Sequence, residues 1–106
     1  MVNMMKLMKQ AQSMQKNMEK LQADLAARTY EATSGGGMVK AVIQGDMTVV
    51  QVVIDPKVID PADADMLQDL VVTAVNAGLA SAREDAATEM GKVTGGLGGM
   101  GGLPGF

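Results

Sequence analysis

From Asn3 to about Arg28 the chain lacks Gly and Pro and is rich in Met, Lys, Gln, Leu and Ala, residue types that lose little freedom in a helix. Met4, Leu7, Ala11, Met14, Met18, Leu21 and Leu25 recur at alternating three- and four-residue steps, the 3.5-residue period of a narrow coiled-coil-like seam. The spacing predicts a helix over about 3–28. At 1.5 Å per residue it would be a rod of ~37 Å, against a radius of gyration of ~13 Å for a compact domain of this length. Such a rod must project from the body or lie along another long helix.

The period then changes. Tyr30 to Ser34 reads as a short strand, and Gly35, Gly36 and Gly37 allow a loop with positive φ. Met38 to Gln44 alternates, with Val39, Ala41 and Ile43 on one face, and Gly45 and Asp46 supply a turn into the β-branched run Thr48 to Ile54. That last strand is apolar on both faces, so it is expected to be covered on both sides or to pair with a second copy. Asp60 and Pro61 open a second helix, predicted over about 62–90. The segment 93–106 is read as a flexible Gly-rich tail, leaving 1–92 as one domain. The fold class is α+β, in the order helix, three antiparallel strands, helix.

Composition narrows the chemistry. The 106 residues include no His, no Cys and no Trp, one Tyr, one Phe and 11 Met. Without His or Cys there is no Ser-His or Cys-His nucleophile, no disulfide and no ordinary zinc site. No enzyme, cofactor, metal or small-molecule substrate is expected. So few aromatic anchors in so short a chain favour completion of the core by a partner chain, and a homodimer is expected. Lys6, Lys9, Lys16, Glu19 and Lys20 interrupt the first twenty residues, leaving no signal-peptide core, and no apolar run reaches membrane-spanning length. The expected location is the cytoplasm, with no membrane partner.

Charge adds a polarity. Net charge is -3, yet through Tyr30 five cations face two anions, giving +3, while the remainder carries 4 cations against 10 anions, giving -6. On the first helix Lys6, Lys9, Ser13, Lys16 and Lys20 recur opposite the apolar seam, interleaved with Gln10, Gln12, Gln15 and Asn17. Two readings of this stripe stand. One is a solvated helix face; the other is a surface that tracks phosphates, favoured by neutral donors and the near absence of Glu.

Other features carry less. Asp60, Asp63, Asp65 and Asp69 lack the spacing of a calcium loop and are read as carboxylates at a helix start. The triple glycine lacks the Gly-Lys-Ser/Thr of a phosphate loop and precedes a strand. The methionines of the first helix are read as seam filling, with Met5 and Met8 at its flank.

Several segments together resemble the YbaB/EbfC family of bacterial nucleoid-associated proteins. They are Met4-Met5-Lys6 through Gln10-Ala11-Gln12 and Met14-Gln15, Ser34-Gly35-Gly36-Gly37 before Val39-Lys40, Val53-Ile54-Asp55-Pro56, Met66-Leu67-Gln68-Asp69-Leu70, Ala74-Val75-Asn76, and Gly95-Gly96-Leu97 with Leu103-Pro104-Gly105. The resemblance implies a protomer that dimerises through its sheet and projects helical arms. It also implies duplex DNA as partner, bound with little sequence preference, and a role in chromosome organisation and gene expression. Carried onto this chain, the candidates are Lys6, Lys9, Lys16 and Lys20, with Arg83 and Lys92 on the second helix; Gln10, Gln12 and Ser13 of the stripe complete the expected DNA-binding set. The alternative is a protein-interaction module that uses the Met-rich helix or the Gly/Met tail.

Overall fold

The computed structural model describes residues 3–101, with side chains described for 3–93. Helix α1 spans Met4–Ala27 and strand β1 spans Thr29–Ser34; a 3-10 turn at Gly35–Gly37 leads to β2, Val39–Gln44, and then β3, Thr48–Ile54. Two further 3-10 turns, Pro56–Val58 and Pro61–Asp63, precede helix α2, Ala64–Gly101. The α+β order expected from the sequence is therefore present. Helix α2 runs past its expected end near 90, so the segment read as a tail is helical backbone as far as Gly101, and 102–106 lie outside the described residues. Gly91 lies within this helix and does not end it. Glycine disfavours a helix by about 1 kcal/mol relative to Ala, but unlike Pro it keeps its N–H donor, so it need not end one.

The three strands form an antiparallel meander with β2 in the middle. Tyr30 pairs with Ile43 and Ser34 with Val39 across β1 and β2, while Lys40 pairs with Val53 across β2 and β3. A bulge between Val42 and Ile43 leaves Val50 as the extra β3 residue, since Val42 faces Gln51 and Ile43 faces Val49. Alternation along β2 places Val39, Ala41 and Ile43 on one face, all three fully buried. Helix α2 covers them with Ala74, Gly78 and Ala82, spaced four residues apart, all three buried. A Cβ on Gly78 would fall 2.5 Å from Ile43 Cγ1, so the missing side chain lets the helix settle onto the strand. Leu67, Leu70, Val71, Val75 and Leu79 complete the packing from the sides. The Ser34 hydroxyl donates to the Leu70 carbonyl at 2.6 Å and ties the end of β1 to the same helix.

Helix α1 stands apart from this core. The Asn3 side chain caps its start by accepting from the Lys6 N–H at 3.0 Å. At the other end Arg28 is already extended (φ -69, ψ 150), so the chain passes straight into β1. Leu25 is the buried residue of this helix, with Met18, Leu21 and Ala26 half-buried. The methionines of this helix were read as seam filling, but the outer half of the seam is uncovered: Met4, Leu7 and Met14 are 67%, 51% and 40% exposed. The strands end before they reach that far out, so the periodicity marks a packing face that this single chain leaves open. The extents are 76 × 27 × 16 Å and the radius of gyration is 20.5 Å, well above the ~13 Å of a compact chain of about 100 residues.

One contact seats the arm. Gly45, in the β2 to β3 turn, donates its N–H to the Arg28 carbonyl at 2.8 Å, and a Cβ there would lie 1.7 Å from the Leu25 carbonyl oxygen. Backbone must move to admit any side chain. Gly45→Ala is therefore expected to destabilise the fold by roughly 1–3 kcal/mol, lowering the melting temperature by about 4–8 °C per kcal/mol in a domain of this size. Thermal denaturation followed by circular dichroism checks it.

Candidate nucleic-acid interface

The nine residues singled out in the sequence do not form one surface. Lys6, Lys9, Gln10 and Ser13 do come together: with Met14, Asn17 and Val93 they line an open groove of about 580 Å³ between the outer part of α1 and α2. Gln12 and Lys16 lie on another side of α1, sharing a shallow depression with Gln15 and Glu19. Lys20 is exposed one turn nearer the body. The expected separation of a cationic stripe from an apolar seam is thus incomplete, because Met14 of the seam borders the same groove as Lys6 and Lys9.

Ion pairing separates the cations further. Among the described residues no carboxylate lies within salt-bridge distance of Lys6, Lys9, Lys16 or Lys20. Their positive field is left for an outside anion. Lys92 instead approaches Glu89 at 3.6 Å, and Arg83 is an exposed residue on α2 apart from the groove.

The sequence reading missed a polar cluster at the base of the arm. Arg28 Nη1 donates to Asp85 Oδ2 at 2.8 Å and to Glu89 Oε1 at 3.4 Å, and the Tyr30 hydroxyl donates to the same Asp85 oxygen at 2.5 Å. Arg28 was counted with the basic arm, yet its charge is matched by α2. Asp85 and Glu89 are four residues apart and so share one face of that helix. Nothing local announces a partner more than fifty residues upstream.

These contacts shift the groups concerned. Hydrogen bonds from Tyr30 and then Arg28 hold the Asp85 carboxyl below its ordinary range. Partial burial first, and the hydrogen bond to Asp85 second, push the Tyr30 phenol up. A carboxylate with a depressed folded pKa contributes stability above its unfolded value, lost as pH falls through the folded one. For Asp85 that loss begins below about pH 4, the usual aspartate range. The raised phenol works in the opposite direction: its contribution is complete below about pH 10 and fades as pH rises beyond. The expected outcome is hydrogen-exchange protection at the α1–β1 junction that is flat from about pH 5 to 9 and falls below about pH 4, measured after correction for intrinsic exchange rates.

Among the described residues no cluster of His, Cys, Asp or Glu is arranged to hold a metal ion, and no helix is long and apolar enough to cross a membrane. The described residues form an α+β scaffold that carries an exposed, cationic first helix. Comparison with known proteins gives that arrangement its family. The family model described as the YbaB/EbfC DNA-binding family matches residues 1–97, and the chain belongs to that non-enzymatic family.

Similar relatives are named nucleoid-associated proteins. One from Ruminiclostridium cellulolyticum is 52% identical over 101 residues, covering 95% of this chain and 88% of the relative. Another, from Desulforamulus reducens, is 52% identical over 95 residues and covers 90% of each. The crystal structure of an uncharacterized Helicobacter pylori protein is similar in fold, with a TM-score of 0.71 at 22% identity, covering 87% of this chain and 97% of that one.

Proposed function

We propose that this protein is a nucleoid-associated component of the cytoplasm that binds duplex DNA as a homodimer. The α1 arms contact the phosphate backbone with little sequence preference, and binding contributes to chromosome organisation and gene expression. The observation that carries the reading is the set of four α1 lysines without carboxylate partners, on a helix that leaves the body after its last turns. Phosphate contacts of this kind position a protein on DNA and carry no sequence information directly. The relatives' name supports the nucleoid location, and the family membership supports DNA as the ligand.

Support for the dimer comes from β3. It is an edge strand, and its Val49, Val50 and Val53 are exposed, as is Ile59. A seven-residue edge strand carrying three exposed valines invites pairing with another strand. Two protomers joined there would present two arms and bury the exposed valines. Exposed Met5 and Met8, 75% and 60% accessible, favour the second reading, a protein-interaction surface on α1.

A salt titration of duplex binding by fluorescence anisotropy, with mass measured by light scattering on the same samples, tests the proposal. With about four to six phosphates neutralised, the log-log slope is roughly -4 to -5, so affinity falls by roughly 250- to 1,000-fold between 50 and 200 mM salt. Replacing Lys6, Lys9, Lys16 and Lys20 by Gln is expected to flatten that slope while leaving the mass at that of a dimer. Absence of duplex binding at low salt overturns the DNA reading. Binding unchanged by the four substitutions removes α1 from it.

A further inference from the structure

We propose that Arg28, Tyr30, Asp85 and Glu89 form a latch that sets the direction of the α1 arm, making Arg28 a positioning residue for DNA binding rather than a phosphate contact. The inference rests on the DNA-binding reading above but is carried by different atoms. Arg28 is the first residue after α1, and its guanidinium reaches across to α2, where Asp85 accepts at 2.8 Å and Glu89 at 3.4 Å. Tyr30, two residues along β1, holds the same Asp85 oxygen. The arm's exit is therefore pinned on two sides. The Gly45 N–H grips the Arg28 carbonyl from the hairpin, while the Arg28 side chain grips α2.

Leverage makes a modest contact consequential. Helix α1 has 24 residues, of which Met18, Leu21, Leu25 and Ala26, all in its inner half, are buried or half-buried. At ~36 Å of length, a 15° change at the joint moves the tip by ~9 Å, which exceeds the spacing of neighbouring phosphates along a strand. An arm free to swing must also be ordered when DNA binds, and a preorganised arm avoids that entropy loss. The carboxylates have a further effect: with Asp85 and Glu89 matched to it, Arg28 presents little net positive field to DNA. Lys92, 3.6 Å from Glu89, joins the edge of the same cluster. Exposed ion pairs are individually weak, but here one guanidinium joins two carboxylates and a half-buried phenol converges on one of them, so the geometry is shared by four side chains.

The test exploits opposite signs. Asp85→Asn combined with Glu89→Gln removes two negative charges and frees Arg28. Simple electrostatics then predicts tighter DNA binding, whereas the latch predicts binding weakened about three- to tenfold. Arg28→Gln is expected to weaken binding by a similar factor with the salt slope unchanged. A lost phosphate contact would instead reduce the slope by about 1. In parallel, the chain's lack of cysteine allows spin labels at Gln15→Cys and Ser81→Cys, with labelled protein diluted in unlabelled protein so that distances within one chain are read.

The latch predicts one narrow distance distribution that broadens in both variant backgrounds while circular dichroism stays native. An unchanged distribution, tighter binding by the carboxylate variant, or a slope reduced by about 1 for Arg28→Gln overturns it. Should one variant fail to fold, the other decides. If native protein binds no duplex DNA, the functional reading fails, and the distance measurement still decides whether the latch exists.

Discussion

The close approach of α2 to β2 is the contact on which everything else hangs. Gly78 and its neighbours Ala74 and Ala82 let the helix backbone descend onto Val39, Ala41 and Ile43, and this strip holds the fully buried residues of the described chain. Larger side chains along that helix face would lift α2 from the sheet and expose the strip to water. Because β2 is the central strand, fixing it against α2 also fixes β1 and β3 by their ladders. Position then propagates outward: β1 places Arg28 and Tyr30 beside Asp85, the β2 to β3 turn places Gly45 under Leu25, and α1 departs from the point where these meet.

This construction separates two tasks. Burial is concentrated in a small sheet and helix layer, while the outer part of α1 is left exposed with its lysines unpaired. Charge follows the same division. Anions dominate beyond Tyr30, where many cap turns or helix starts: Asp55 accepts from the Lys57 N–H and Asp60 from the Ala62 N–H, each at 2.9 Å. A net charge of -3 consequently says little about what the arm attracts. Within a Debye length of about 8 Å at physiological salt, a polyanion senses the arm more than the distant body.

Much of the fold was legible because the relevant signals were local. The 3.5-residue period of α1, the alternation of β2 and the β-branched run of β3 each specify an element without knowledge of the rest, and β3 has the boundaries read from the sequence. The far end of α2 was not legible, since glycine content reports a propensity and not an obligatory stop. Exposure of Met4, Leu7 and Met14 was likewise hidden: a seam shows that a face is apolar, not what covers it. At the candidate site, the grouping of Lys6, Lys9, Gln10 and Ser13 follows from helical spacing, but their division from Lys16 depends on where α2 lies. Pairing of Arg28 with Asp85 depends on the tertiary fold and had no signature in the chain.

Whether DNA meets α1 and spares the acidic body is tested residue by residue by backbone amide chemical shifts recorded while short duplex DNA is added. Perturbations are expected to concentrate between Lys6 and Lys20, with the amides of Asp60 to Asp69 unmoved. Perturbations centred on Asp60 to Asp69 or on β3, with the outer turns of α1 silent, would contradict this reading.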